Sequence, residues 1–139
     1  MGLVDRFWIV FAALNGGVAV GAGAYASHGL AGDPRAQELF RTAGQYQMWH
    51  ALALVGAVLL AGRAAGAQRL ALRLAGWLFV AGVVLFSGTL YMLGSGATPP
   101  VGSTAPLGGT ALMAGWLLLA VAAVLPAARG GHRFEGDRT

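Results

Sequence analysis

His50 is the side chain in this sequence best suited to acid–base work, because imidazole titrates near neutral pH. On a helix, spacings of three and four residues place Tyr46, Gln47 and His50 on one face. Tyr25 and His28 share a face in the same way, and so do Ser87 and Tyr91. Two chemistries suit this set. In a proton-handling site or small transporter, His50 is the titrating residue and Tyr46, Gln47, Ser87 and Tyr91 line its route. In a structural role, His50 makes an interhelical hydrogen bond, the commoner use of a polar side chain in an apolar segment and the expectation here.

Other chemistries lack their residues. His28 and His50 together suggest a metal or haem pair, yet the apolar runs around them hold no carboxylate or thiolate. Two imidazoles alone make a weak site, so neither metal nor cofactor is expected. His28 ends a helix, where the dipole favours imidazolium, and a capping role is expected. Cysteine is absent, which excludes disulfides and thiolate nucleophiles. Lysine is absent too, so no phosphate-cradling loop ends in Lys. Phe86-Ser87-Gly88 lacks the first glycine of a nucleophile elbow, and no acid orients His50 toward Ser87. The chain reads as non-enzymatic.

What must position these residues is a set of four runs without Asp, Glu, Lys or Arg: Phe7–Ser27, Tyr46–Ala61, Leu74–Leu93 and Leu107–Leu125. A bilayer core is spanned by about 20 mostly apolar residues, and a buried charge costs at least about 2.5 kcal/mol. Only 10% of the chain is charged and its mean hydropathy is +0.66, whereas a soluble domain carries about 25% charged residues. The expected fold is all-α, an integral membrane four-helix bundle filling residues 1–126, with helices near 5–28, 34–61, 72–93 and 107–125. Residues 127–139, including His132, are expected to form a mobile cytoplasmic tail. Arg6 before an apolar run and Ala24-Tyr25-Ala26 imitate a signal peptide. The run exceeds the roughly 7–15 residues of a signal core, so a retained helix is expected.

All nine basic residues are Arg. The N-terminus, second loop and tail carry seven of them, while the first loop carries Arg35 and Arg41 opposed by Asp33 and Glu38. The positive-inside rule then places both termini in the cytoplasm. A net charge of +4 is explained by this orientation, and nucleic acid is not an expected partner. In that topology Tyr25, His28, Gln45, Tyr46, Gln47, His50, Ser87 and Tyr91 gather toward the outer side, as a structural cluster or as a site for a lipid or small ligand. Within the first helix, Gly17 and Gly21 form a small-xxx-small pair extended by Ala13, and Asn15 is expected to bond to another helix. Trp8 and Trp77 are expected at the membrane interface. Asp33-Pro34 opens the second helix, Gly29 closes the first, and Pro99, Pro100 and Pro106 bar helix from the third loop.

Four parts of the chain resemble a known family. Gly23-Ala24-Tyr25-Ala26-Ser27-His28-Gly29-Leu30 resembles its GAFGAHGL segment. Thr42-Ala43-Gly44-Gln45-Tyr46-Gln47-Met48-Trp49-His50-Ala51-Leu52-Ala53-Leu54 resembles TA-x-x-YQ-x-x-HALAL. Leu85-Phe86-Ser87-Gly88-Thr89-Leu90-Tyr91 resembles LFSGSLY, and Pro106-Leu107-Gly108-Gly109 with Ala114-Gly115-Trp116 resembles the last helix. The family is the small membrane proteins with domain of unknown function 423, related to transmembrane protein 256 of eukaryotes. Ala26, Ser27 and Ala105 depart from its pattern. The resemblance implies four membrane helices and a bacterial inner-membrane location, and it brings no activity. The expected function is a self-associating or accessory membrane subunit, a homo-oligomer or part of a larger complex, with the lipid bilayer as its surroundings.

Overall fold

The computed structural model describes residues 1–102 and 104–126; Ser103 and the expected tail, 127–139, lie outside the described residues. Four helices follow in order: α1 Leu3–His28, α2 Pro34–Arg63, α3 Gly66–Gly94 and α4 Thr104–Val124. Asp33 caps α2 by accepting from the Ala36 N–H at 3.0 Å, and Pro34 occupies the first turn. Gly29 closes α1 with an ordinary right-handed φ of −86°. Its lack of a side chain serves space instead, because a Cβ would stand 2.5 Å from the Tyr25 ring.

Two helix starts fall earlier than expected. α3 begins at Gly66, not near residue 72, because Ala, Arg and Leu are good helix formers whether or not they are charged. The Arg69 Nε donates to the Ala64 carbonyl at 2.7 Å and ties this start to the end of α2. α4 begins at Thr104, so Pro106 lies inside the helix and does not bar it. In a first turn the missing N–H has no helical partner to lose.

Consecutive helices run antiparallel. Trp8 and Ala12 of α1 cluster with Val58, Leu54 and Ala51 of α2. Ala61 of α2 meets Leu72 of α3, which packs with Ala122 of α4. Phe79 and Val83 of α3 enclose Leu112 of α4. Glycines let the backbones approach. A Cβ on Gly76 would lie 2.5 Å from the Trp8 ring, one on Gly115 would lie 2.6 Å from Phe79, and one on Gly108 would strike the Phe86 backbone.

Polarity is inverted relative to a water-soluble bundle. Val10, Leu14, Leu74, Val84, Met113 and Leu117 face outward, while Gln47, His50, Ser87 and Thr89 are buried. Contiguous apolar exteriors of this kind are rare on monomeric soluble proteins. Helices α1, α3 and α4 are long and apolar enough to cross a membrane. The expected fourth run is only part of α2, which falls short of that class because Gln45, Tyr46, Gln47 and His50 occupy its middle. Gln47 and His50 are buried against neighbouring helices and Tyr46 is half-buried, while Gln45 is exposed, so the overall apolarity of α2 is low although most of the bundle's exterior is apolar.

Trp8 departs from the expected interfacial position. It is fully buried, covered by Gly76 and edge-on to Trp77 at 5.6 Å between centroids, whereas Trp77 is exposed. The Arg73 guanidinium stands 5.2 Å above the Trp8 ring and pairs with Asp5 at 2.6 Å, fastening the start of α1 to α3. Replacing Gly108 by Val drives its side chain into the Phe86 backbone and is expected to destabilise the bundle by about 3 kcal/mol or more. Gly88→Ala, with open space at its Cβ, is the matched control and leaves the melting temperature in detergent unchanged.

Candidate functional site

The polar residues of the middle section resolve into separate hydrogen-bonded groups. In the first group, the Tyr91 hydroxyl donates to Gln47 Oε1 at 2.6 Å, Gln47 Nε2 donates to Asn15 Oδ1 at 2.7 Å, and Asn15 Nδ2 donates to the Phe11 carbonyl at 2.8 Å. This chain joins α3, α2 and α1. Its direction is set by chemistry, since amide oxygens only accept and amide nitrogens only donate. Gly44 lies beside it, with the Ala19 carbonyl 3.3 Å and the Tyr91 hydroxyl 3.6 Å from where its Cβ would stand.

The second group is centred on His50. Its Nδ1 lies 2.6 Å from the Tyr46 carbonyl, and Trp116 Nε1 lies 3.0 Å from its Nε2. An indole N–H only donates, so Nε2 must offer a lone pair and the ring proton must be on Nδ1, donating to Tyr46. The imidazole is thereby held neutral with both nitrogens engaged. A second proton would have to displace the indole. Rings close around it: Tyr46 and Trp116 at 6.0 Å and Phe79 at 5.6 Å between centroids.

Two hydroxyls make separate links. Ser87 Oγ donates to the Ala43 carbonyl at 2.9 Å, joining α3 to α2. The Thr89 and Thr104 hydroxyls meet at 2.8 Å, joining α3 to the start of α4.

The eight residues expected as one cluster fall into separate hydrogen-bonded groups. Gln47 and Tyr91 belong to the amide chain, His50 and Tyr46 to the imidazole group, and Ser87 to its own bond. Tyr25, His28 and Gln45 are exposed. The Tyr25 ring lies tilted against Phe40 at 5.3 Å between centroids, and Phe40 in turn lies 5.0 Å from Tyr91. Gly17 and Gly21 are exposed, and no atom of the described residues lies within 4 Å of either Cβ position. Among the described residues no group of three His, Asp or Glu side chains is placed to hold a metal.

Trp116 and Asn15 complete the two central groups. Asn15 was readable as a polar residue in a span. Trp116 was not tied to His50 by any spacing, since the pair is 66 residues apart. The Asp5–Arg73 pair likewise had no local signal.

Residues 22–109 match the family described as Protein of unknown function (DUF423). The chain is 41% identical over 90 residues to the UPF0382 membrane protein YwdK of Bacillus subtilis, covering 63% of this chain and 72% of that relative. It is 40% identical over 90 residues to the UPF0382 membrane protein SAB0533 of Staphylococcus aureus, covering 63% of this chain and 70% of that relative. No solved structure matches the chain. The chain belongs to the DUF423 family. The matched segment holds Gln47, His50, Ser87 and Tyr91, while Asn15 and Trp116 lie on either side of it.

Gln47→Leu removes the central link and leaves Asn15 Oδ1 and the Tyr91 hydroxyl without their partner. A loss of about 0.6–2 kcal/mol is expected, read by unfolding in detergent. Combining it with Tyr91→Phe should cost less than the sum of the two single changes, because both delete the same bond.

Proposed function

We propose that this member of the DUF423 family is a non-enzymatic subunit of a bacterial inner membrane. Its four helices span the bilayer with both termini and the Arg63–Arg73 segment in the cytoplasm. The bundle associates with a second copy or with a larger membrane complex through the outward face of α1. The carrying observation is a contrast. Asn15, Gln47, His50, Ser87, Thr89 and Tyr91 all have hydrogen-bond partners inside the chain. Ala13, Gly17 and Gly21 present an exposed small-residue stripe, and no atom of the described residues lies within 4 Å of a Cβ placed at Gly17 or Gly21. Small residues at four-residue spacing let a second helix backbone approach closely, which is how helices associate where lipid removes the hydrophobic drive.

The His50 geometry supports a structural role over proton handling. A relay needs a nitrogen free to exchange its proton, and here one donates to a backbone carbonyl while the other accepts from an indole. Proton flux into liposomes is expected to be the same with His50→Gln as with the natural chain. A pH-driven flux lost in that variant would favour the transport reading.

In mild detergent the natural chain is expected to sediment as an oligomer or with a copurifying partner. Gly17→Ile with Gly21→Ile should weaken that association at least tenfold, about 1.4 kcal/mol, with helicity unchanged. An alkaline phosphatase fused after Thr139 is expected to be inactive in a bacterial host, and strong activity would reverse the orientation.

A further inference from the structure

We propose a binding site for one anionic phospholipid in the groove between α1 and α2, with the phosphate held at Arg41 and an acyl chain laid along the helices below. The groove begins at the end of the bundle where α1 finishes and α2 starts. A recess of about 380 Å³ there is bordered by Gly23 and Ala19 of α1 and by Gly44 and Met48 of α2, with Arg41, Gln45 and Ser27 at its rim. A second recess of about 310 Å³ continues from it, shares Met48, and is bordered by Gly16, Ala12 and Ile9 of α1 and Val55 of α2.

The two recesses run from Gly23 to Ile9, about 21 Å at the helical rise of 1.5 Å per residue. One leaflet's hydrocarbon is about 15 Å deep, half of the bilayer core. The groove is thus long enough for a whole acyl chain. Small side chains make it: Gly16, Gly23 and Gly44 leave space that a larger residue would fill.

Its charge fits one class of headgroup. Among the described residues the ion pair is Asp5–Arg73, so Arg41 has no carboxylate partner. The nearest acid along α2 is Glu38, which accepts from the Thr42 hydroxyl at 3.4 Å. A free guanidinium offers the forked donors that match a phosphate, and the exposed Gln45 amide and Ser27 hydroxyl add donors beside it. Trp49, also exposed, borders the same rim and suits the headgroup layer. The occupant is chosen by this pairing of a cationic rim with an apolar trough: a second helix of this chain would fill the trough and leave Arg41 unmatched.

The inference rests on the membrane embedding proposed above and uses a different face of α1 from the Gly17–Gly21 stripe. The full chain is placed in nanodiscs of equal phosphatidylglycerol and phosphatidylcholine, then released into native mass spectrometry. One phosphatidylglycerol is expected to stay bound, retained about tenfold over phosphatidylcholine. Arg41→Gln should abolish that preference, and Arg41→Lys should keep most of it. Gly23→Leu, whose Cβ would meet no protein atom within 4 Å, should evict the lipid while circular dichroism stays unchanged. Equal retention of the two lipids, or a lipid adduct untouched by Gly23→Leu, overturns the site. A dimer that Gly23→Leu splits, without lipid, overturns it in favour of a second copy. Failure of the chain to enter nanodiscs at all is failure of the embedding itself and is read separately.

Discussion

In the membrane embedding proposed above, hydrocarbon offers no hydrogen-bond partner, so a polar atom buried there is costly unless the same protein brings it a partner. α2 carries most of those atoms here, and the arrangement of the other helices follows from covering them. α1 lays Asn15 against Gln47. α3 brings the Tyr91 hydroxyl to the one oxygen of the Gln47 amide and Ser87 to the Ala43 carbonyl. α4 brings an indole N–H to His50. Each of these bonds joins two helices, so each also sets the rotation of one helix against another. In an interior without a hydrophobic drive, such rotational locks and close glycine contacts are what remains to specify one packing.

The locks are placed where the side chains can reach. Gly44 leaves room for the Tyr91 hydroxyl beside the α1 backbone, so the amide chain depends on a residue that makes no polar contact itself. Gly108 and Gly115 bring α4 against Phe86 and Phe79, which carries Trp116 to within reach of His50. Glycine and hydrogen bond are two halves of one device: the first sets the distance, the second the angle.

Much of this could be read before the coordinates, and what could not has definite causes. Absence of charge from four runs marked the helices, because burial of an Arg is costly wherever the helix lies. It marked their charge-free portions, not their ends. Helix propensity carried α3 back through Arg73 and Arg69 to Gly66, and α4 back through Pro106 to Thr104, since neither a charge outside hydrocarbon nor a proline in a first turn stops a helix. Facing was readable where polarity is one-sided, as for Gln47 and His50 on α2. It was unreadable on α4, which is apolar all round, so nothing in its pattern tied the half-exposed Trp116 to His50. Trp8 was misplaced for a related reason. Tryptophan near a span's end suits the interface by chemistry, but Gly76 opens a slot for it inside, and that complementarity spans two helices.

A closed interior constrains where this protein can act. With both His50 nitrogens engaged and the amides of Asn15 and Gln47 committed to each other, an arriving ligand would have to break bonds that hydrocarbon cannot replace. The surface carries no such debt. α1 borders both of the surfaces described: its outward stripe of Gly17 and Gly21 is purely small, while the side holding Gly16 and Gly23, with Ala13 at its edge, opens toward α2 and ends at Arg41, which has no carboxylate partner among the described residues. The two differ in what they can recognise. Backbone proximity selects another helix and is indifferent to charge, whereas a cation above an apolar trough selects a molecule with an anionic head and a long tail. One helix can therefore serve an oligomer contact and a lipid contact together, because the faces point different ways around its axis and neither draws on the polar groups that hold the bundle closed.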